Sequence, residues 1–486
     1  MLLEYVSCEK AAYNSCDNGP LSSGRHSHHN PESEGPMRTH LLIVILLAFL
    51  TAAVPAQVPS TVFVGLGDSI GEAVQSGDAS YRTQPYSFLN LIALLMGVPF
   101  PQPYIQSGLL GQVGTMDGRS RLYPTVPGLN LAVSGADTFD LLFTRPDAAT
   151  TAAIDSETDL VLYPRLASQI EIAESLRPQI VACWIGNNDA LASVTAFDQL
   201  DGVSNLTPLP EFQANFQQIA SRLAALNSKV VFGTIPDVTR IGYLINRSDL
   251  VRLTGQDYGL PDGVYTTIVT TFGLRLGLID PIVLTQPNFI LDQSEVANIS
   301  LRISQFNDVI RATAAQHGMG VADTHAAFEI LATNPPVLFG VPLRTRFLGG
   351  IFSLDGVHPS NVGQLLVARL FIETFNYHYG MSIQNVTTTM MGSFFFNDPF
   401  IDKDGDGKVK GRLGAGMLET VAPLIGWAGD NDDAVPTATA ALSSEQTALA
   451  VEALERETGR NLRGATHEER LDAISQAFGI KRGRKK

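Results

Sequence analysis

Five short runs in this chain are apolar almost throughout, where a half-exposed strand would alternate: residues 62–64, 130–135, 179–185, 229–235 and 318–322. Strands rich in Val, Ile and Leu at every position are buried on both faces, the condition of a parallel sheet between two layers of helices. Helical periodicity fills the intervals, at 86–96, 138–143, 165–176, 210–226, 299–317 and 361–379. The segment 210–226 is the clearest, with Phe212, Phe216, Ile219, Leu223 and Leu226 on one face. This alternation predicts an α/β fold, a three-layer α/β/α sandwich around a five-stranded parallel sheet.

The 486 residues are 45% hydrophobic and 17% charged, ample for a large core and an appended region. A formal net charge of -15 argues against a nucleic-acid partner, and the basic run at 481–486 reads as a solvated tail. Residues 1–36 are polar. Met37-Arg38 then opens an apolar stretch, 41–54, that ends in Pro55-Ala56. These are the parts of a secretory signal peptide, and the apolar stretch is shorter than a membrane-spanning helix requires. The expectation is translation from Met37, with 1–36 an untranslated extension and 37–56 removed. The mature chain would begin near Gln57, be secreted, periplasmic or held at the cell surface, and carry no transmembrane anchor. It would contain one cysteine, Cys183, and therefore no internal disulfide; within an apolar strand this thiol reads as core.

Chemistry-bearing residues sit where the strands end. The first strand breaks at Gly65 and Gly67 and exposes Asp68-Ser69 before a helix-compatible run. The carboxyl ends of parallel strands face one edge of the sheet, where open α/β folds keep their ligand sites. Ser69 there is a candidate nucleophile, and its N–H, at a helix start, is free to face an oxyanion. Gly135, at the end of the second run, offers an unobstructed backbone N–H, and Asn188, after the third, a side-chain amide. Asp355 and His358 lie three apart in a Gly- and Pro-containing loop before the last helix, a spacing that lets the carboxylate hold one imidazole nitrogen while the other faces Ser69. A second pair, Asp323 and His325, reads as structural, because residues two apart on a strand make a poor hydrogen bond. Gly67-Asp68-Ser69-Ile70-Gly71 also fits the G-x-S-x-G elbow of α/β-hydrolases, although that fold places its serine after several strands.

Gly67-Asp68-Ser69, Gly135, Gly186-Asn187-Asn188-Asp189 and Asp355-Gly356-Val357-His358 resemble the four blocks of the GDSL, or SGNH, serine hydrolases. The resemblance spans roughly residues 60–380 and implies a flavodoxin-like SGNH hydrolase fold and hydrolysis of carboxylic esters. In it Ser69 is the nucleophile, His358 the base and then the acid, and Asp355 orients the imidazole. Ser69, Gly135 and Asn188 would bind the oxyanion, Asp68 would support the turn, and no cofactor would be needed for catalysis. The expected partner is a small-molecule or lipid ester, with apolar walls from 98–110, 268–278 and 282–291. Alternatives are a polysaccharide O-deacetylase of the same family and a non-catalytic binding protein on this scaffold.

The expected hydrolase domain is 57–380. Beyond it, 381–486 holds a loop with the first half of a calcium-binding EF-hand pattern. Asp402, Asp404 and Asp406 would offer carboxylates and Lys408 its backbone carbonyl, but Leu413 stands where a bidentate Glu belongs. Two helices follow, each opening on a capping box: Ser443 with Gln446, and Thr466 with Glu469.

Overall fold

In this computed structural model the described residues are 61–106, 119–411, 417–429 and 440–478. The extension and signal segment, the basic tail and Leu413 lie outside them.

The chain runs through β1 (Phe63–Gly67), α1 (Ser69–Glu72), α2 (Phe88–Met96), α3 (Thr138–Phe143), α4 (Gln169–Leu176), β2 (Ile180–Trp184), α5 (Asn187–Thr195), α6 (Leu209–Ala224) and β3 (Lys229–Gly233). An insertion with α7 (Arg247–Thr254) and α8 (Ile268–Arg275) precedes α9 (Gln293–Gln316), β4 (Gly320–Ala322), α10 (Thr324–Thr333) and α11 (Asn361–Tyr379). The C-terminal region adds α12 (Ser444–Thr458) and α13 (His467–Ala477). Capping boxes at Ser443 and Thr466 open these last two helices.

The sheet has the order β1-β2-β3-β4, with every pair parallel. It has four strands where the sequence suggested five. The stretch after Leu129 still lies along the free edge of β1, with Gly65 N–H donating to Leu129 O and Leu131 N–H to Gly65 O, but it forms a single bridge, Gly65 to Asn130. The pairing goes on at Val133, whose N–H donates to Gly67 O at 3.1 Å, but the side chain of Gln169 takes the place of the chain's own acceptor for Gly67 N–H. Its Oε1 accepts from Gly67 N–H at 3.0 Å and its Nε2 donates to Gly67 O at 2.9 Å. A carboxamide carries both a donor and an acceptor, so it stands in for the next rung of a strand.

Successive residues of a strand point to opposite faces, and here they sort the helices into layers. Trp184 meets Phe88 of α2 and Phe371 of α11, at centroid separations of 5.7 and 6.2 Å. Phe232, in register with Cys183, points the other way and meets Phe216 of α6 at 4.9 Å. Phe212 of α6 in turn stacks on Phe306 of α9 at 4.1 Å. Cys183 is fully buried in this core, and burial pushes its thiol pKa up.

The insertion folds as a three-stranded antiparallel patch (Leu244–Ile245, Tyr265–Thr267, Ile290–Leu291) with α7 and α8. Helix α8 is buried along its whole length. Its Phe272 packs on Trp427 and Phe478 of the C-terminal region, and Arg275 Nε donates to Ile425 O at 2.7 Å. Among the described residues no helix is long and apolar enough to cross a membrane.

Candidate active site

Strand β1 comes so close to β2 at Gly67 that a Cβ there would lie 2.4 Å from Trp184 O; only glycine fits before the turn. Asp68 then caps α1, its Oδ1 accepting from Ile70 N–H at 3.0 Å. Asp68 Oδ2 accepts from Asn187 Nδ2 at 2.9 Å, which fastens the serine turn to the first residue of α5. Burial raises the Asp68 carboxyl to about 6 against the pull of these two donors. Ser69 follows, 8% exposed. Among the described residues its backbone N–H has no acceptor within hydrogen-bond reach, as expected of an N-terminal helix residue.

The loop before α11 brings the other two groups. Gly356, with φ +70, lets the chain reverse between Asp355 and His358, and a Cβ there would meet Tyr243 N at 2.8 Å. The tight turn directs the backbone N–H groups of Val357 and His358 at Asp355 Oδ1, both at 2.9 Å. Asp355 Oδ2 accepts from His358 Nδ1 at 2.8 Å, and His358 Nε2 lies 2.9 Å from Ser69 Oγ. With a carboxylate on Nδ1, that nitrogen holds the ring proton and Nε2 presents its lone pair to the serine hydroxyl. Asp355 is almost fully buried, which opposes its charge. The nearby His358 and the N–H donors outweigh this and hold the carboxyl below its usual range.

Two positioning elements were not legible in the sequence. The strap just downstream of α1 grips the acid: Gly77 N–H donates to Asp355 Oδ2 at 2.8 Å, and Ser76 N–H donates to Ser353 Oγ at 2.9 Å. Ser353 Oγ donates onward to Asp355 Oδ1 at 3.1 Å. Glu72, one turn past Ser69 and fully buried, accepts from Ser134 N–H at 2.7 Å and from Ser134 Oγ. The one available hint was its setting, a lone acid between Ile70-Gly71 and Ala73-Val74. Burial, reinforced by Glu157, raises its carboxyl to about 8.

The expected oxyanion donors are placed as follows. Asn188 lines the same groove as Ser69, and its Nδ2 donates to Ala136 O at 2.8 Å, using one of two amide hydrogens. Gly135, at φ +80, follows the Ser134 that Glu72 holds and lines a neighbouring polar hollow with Asp140 and Gln169. Asp323 caps α10 and pairs with Arg311, and His325 Nδ1 lies 3.0 Å from Ile235 O, so this second pair is bonded elsewhere.

From Ser69 a groove runs between α10 and α11, and together with its open mouth it encloses about 890 Å³. Its walls are Ala327, Phe328 and Leu331 on one side and Leu366, Val367 and Leu370 on the other. None of its lining comes from 98–106, 268–278 or 282–291. The expectation that those segments wall the site is corrected for these residues, because α8 spends its apolar surface on the core it shares with Trp427 and Phe478.

In the C-terminal loop, carboxylate oxygens of Asp402, Asp404 and Asp406 lie within 4.8 Å of one another. Asp402 accepts from Gly405 and Gly407 N–H at 2.8 and 3.0 Å, and Asp406 accepts from Lys408 N–H at 2.8 Å. Carboxylates this close could contribute oxygens to one cation, and a calcium shell takes six to eight, from carboxylates, carbonyls and water.

No curated protein matches the chain. Among solved structures it is similar to an α/β hydrolase from the metagenome of Lake Arreo, Spain, at 16% identity and TM-score 0.32, covering 65% of this chain and 94% of that one. An acetylxylan esterase from Geobacillus stearothermophilus aligns at 16% identity and TM-score 0.31 (67% and 96% covered), and TesA at 12% and 0.30 (65% and 98%). The model of the GDSL-like lipase/acylhydrolases matches residues 63–371, from the first residue of β1 into α11, and so takes in the serine turn, the Asn188 helix and the Asp355–His358 loop in order. The chain belongs to the GDSL-like lipase/acylhydrolase family.

Proposed function

We propose that the chain is an exported serine hydrolase that cleaves carboxylic esters through an acyl-enzyme on Ser69. The observation that carries this reading is the unbroken relay from Ser69 Oγ to His358 Nε2 at 2.9 Å and from His358 Nδ1 to Asp355 Oδ2 at 2.8 Å.

Ser69 Oγ adds to the ester carbonyl as its proton passes to His358 Nε2. Asp355 stabilises the imidazolium. The negative oxygen accepts from the N–H groups of Ser69 and Gly135 and from the Asn188 amide. Collapse breaks the bond to the alkoxy oxygen, which leaves as the alcohol with the proton from His358. Water then repeats the sequence, releasing the acid and restoring the serine hydroxyl. Asp68 holds the turn and takes no proton from substrate.

An acyl or lipid ester is the favoured substrate, supported by the apolar walls of the groove. A polysaccharide O-acetyl ester is the second reading, supported by the polar hollow beside Gly135. Ser69→Ala should abolish turnover of p-nitrophenyl esters while the thermal transition stays in place; retained turnover would sink the proposal. Export is tested at the amino terminus of secreted protein, which should begin near Gln57.

A further inference from the structure

Two helices face each other across the groove with matching stripes. On α11 Gly363, Leu366, Val367 and Leu370 line it, and on α10 Thr324, Ala327, Phe328 and Leu331 do. Each set follows i, i+3, i+4, i+7, one continuous face of a helix. Both helices begin at the sheet edge that carries Ser69: α10 directly follows β4, and α11 follows the His358 loop. The near end of α11 is fastened to the serine turn, since Gln364 Nε2 donates to Ile70 O at 3.0 Å.

The polar residues of the lining are Ser69, Asn187, Asn188 and Thr324, the first residue of α10; past that first turn both helical walls are aliphatic or aromatic. Such a surface offers nothing to the hydroxyls of a sugar and much to a hydrocarbon chain. The lining includes Ser69 and Asn188 and does not include His358. A leaving alcohol has to sit against His358 Nε2, so the groove continues from the acyl side of the bond.

We infer that the groove between α10 and α11 holds the acyl chain of the substrate and measures its length, with Leu331 and Leu370 marking the far end. This rests on the ester-hydrolase reading of Ser69 and adds the substrate class to it. From Gly363 to Leu370 is seven residues, about 10 Å at the helical rise. An extended alkyl chain advances about 1.25 Å per carbon, given C–C bonds near 1.52 Å, so the groove accommodates about eight carbons. Each methylene buried should raise kcat/KM about two- to fourfold up to that length and add little beyond it.

The test uses p-nitrophenyl esters from acetate to palmitate, together with methyl octanoate and octyl acetate, on the unaltered protein and on Leu370→Trp and Leu331→Trp. These variants narrow the far end from opposite walls, so the failure of one to fold leaves the other. The expected result is an optimum near octanoate, preference for methyl octanoate over octyl acetate, and a fall of at least tenfold in the octanoate-to-butyrate ratio of kcat/KM in either variant. Turnover of short esters with no rise toward octanoate, a preference for octyl acetate, or a ratio unchanged within twofold in both folded variants overturns the acyl-groove inference and leaves the hydrolase standing. No turnover of any ester, with no labelling of Ser69 by a fluorophosphonate, overturns the hydrolase reading itself.

Discussion

Glu72 holds Ser134 by two hydrogen bonds, from the backbone N–H at 2.7 Å and from the hydroxyl, and so joins the helix of the candidate nucleophile to the loop of a candidate oxyanion donor. Glu72 lies three positions after Ser69, and one peptide joins Ser134 to Gly135. These two bonds tie the loop that carries the Gly135 N–H to the serine helix. Glu72→Ala removes the acceptor of both partly buried Ser134 donors, a loss of roughly 1–3 kcal/mol in all. Urea unfolding should show that loss, and kcat should fall further than KM changes. Glu72→Gln keeps an acceptor oxygen and should recover most of the stability.

The same carboxyl sets a dependence of stability on pH. Burial raises Asp68 to about 6, Asp189 to about 7 and Glu72 to about 8. In an unfolded chain these groups ionise near pH 4, so between about pH 4 and 8 the folded state binds more protons than the unfolded one. Their contribution to stability is therefore fully present below pH 4 and is lost as pH rises from there through the folded values of about 6, 7 and 8. Urea midpoints should decline from pH 5.5 to 9, and Glu72→Gln should flatten the upper part of that decline. A midpoint that rises across this range would contradict the neutral, buried state of these acids.

Ser353 relays between the Ser76 amide and Asp355 without reaching a substrate. Ser353→Ala should lower kcat about tenfold at unchanged KM, the equivalent of about 1.4 kcal/mol for one hydrogen bond to a charged group. Ser353→Thr, which keeps the hydroxyl, should restore it. A loss in KM alone would place Ser353 in binding.

Asp355→Asn would retain the turn, yet its amide could not hold the imidazole with the proton on Nδ1. In triads of this kind that exchange lowers kcat by about ten-thousandfold. Steady-state kinetics should show a loss of that order, with fluorophosphonate labelling of Ser69 slowed in proportion.

Trp427 is buried between Phe272 and Phe347, at 5.8 and 5.0 Å. Trp427→Ala should cost about 3–5 kcal/mol, and in differential scanning calorimetry the whole unit should melt earlier in one transition. A separate early transition would show that the C-terminal region unfolds by itself.

Local chemistry determined much of this protein. Four of the five apolar runs became strands of the sheet, because full burial on both faces demands Val, Ile and Leu at successive positions. The helix 361–379 ends where Ser360 caps it and Gly380 turns left-handed. The pairing of Asp355 with His358 was readable too, since three residues with Gly356 between them make a turn that closes on itself. Tertiary structure decided whatever depends on side chains distant in sequence. Gln169, 102 residues from Gly67, supplies with its carboxamide the acceptor that a fifth strand would have offered to Gly67 N–H. Gly77 reaches Asp355 across 278 residues, and the groove exists only because α10 and α11 leave their matching stripes facing one another. Periodicity marks a helix face as apolar but is silent on what covers it. The face of α8 met the C-terminal region, whereas the faces of α10 and α11 were left around a space that opens at Ser69.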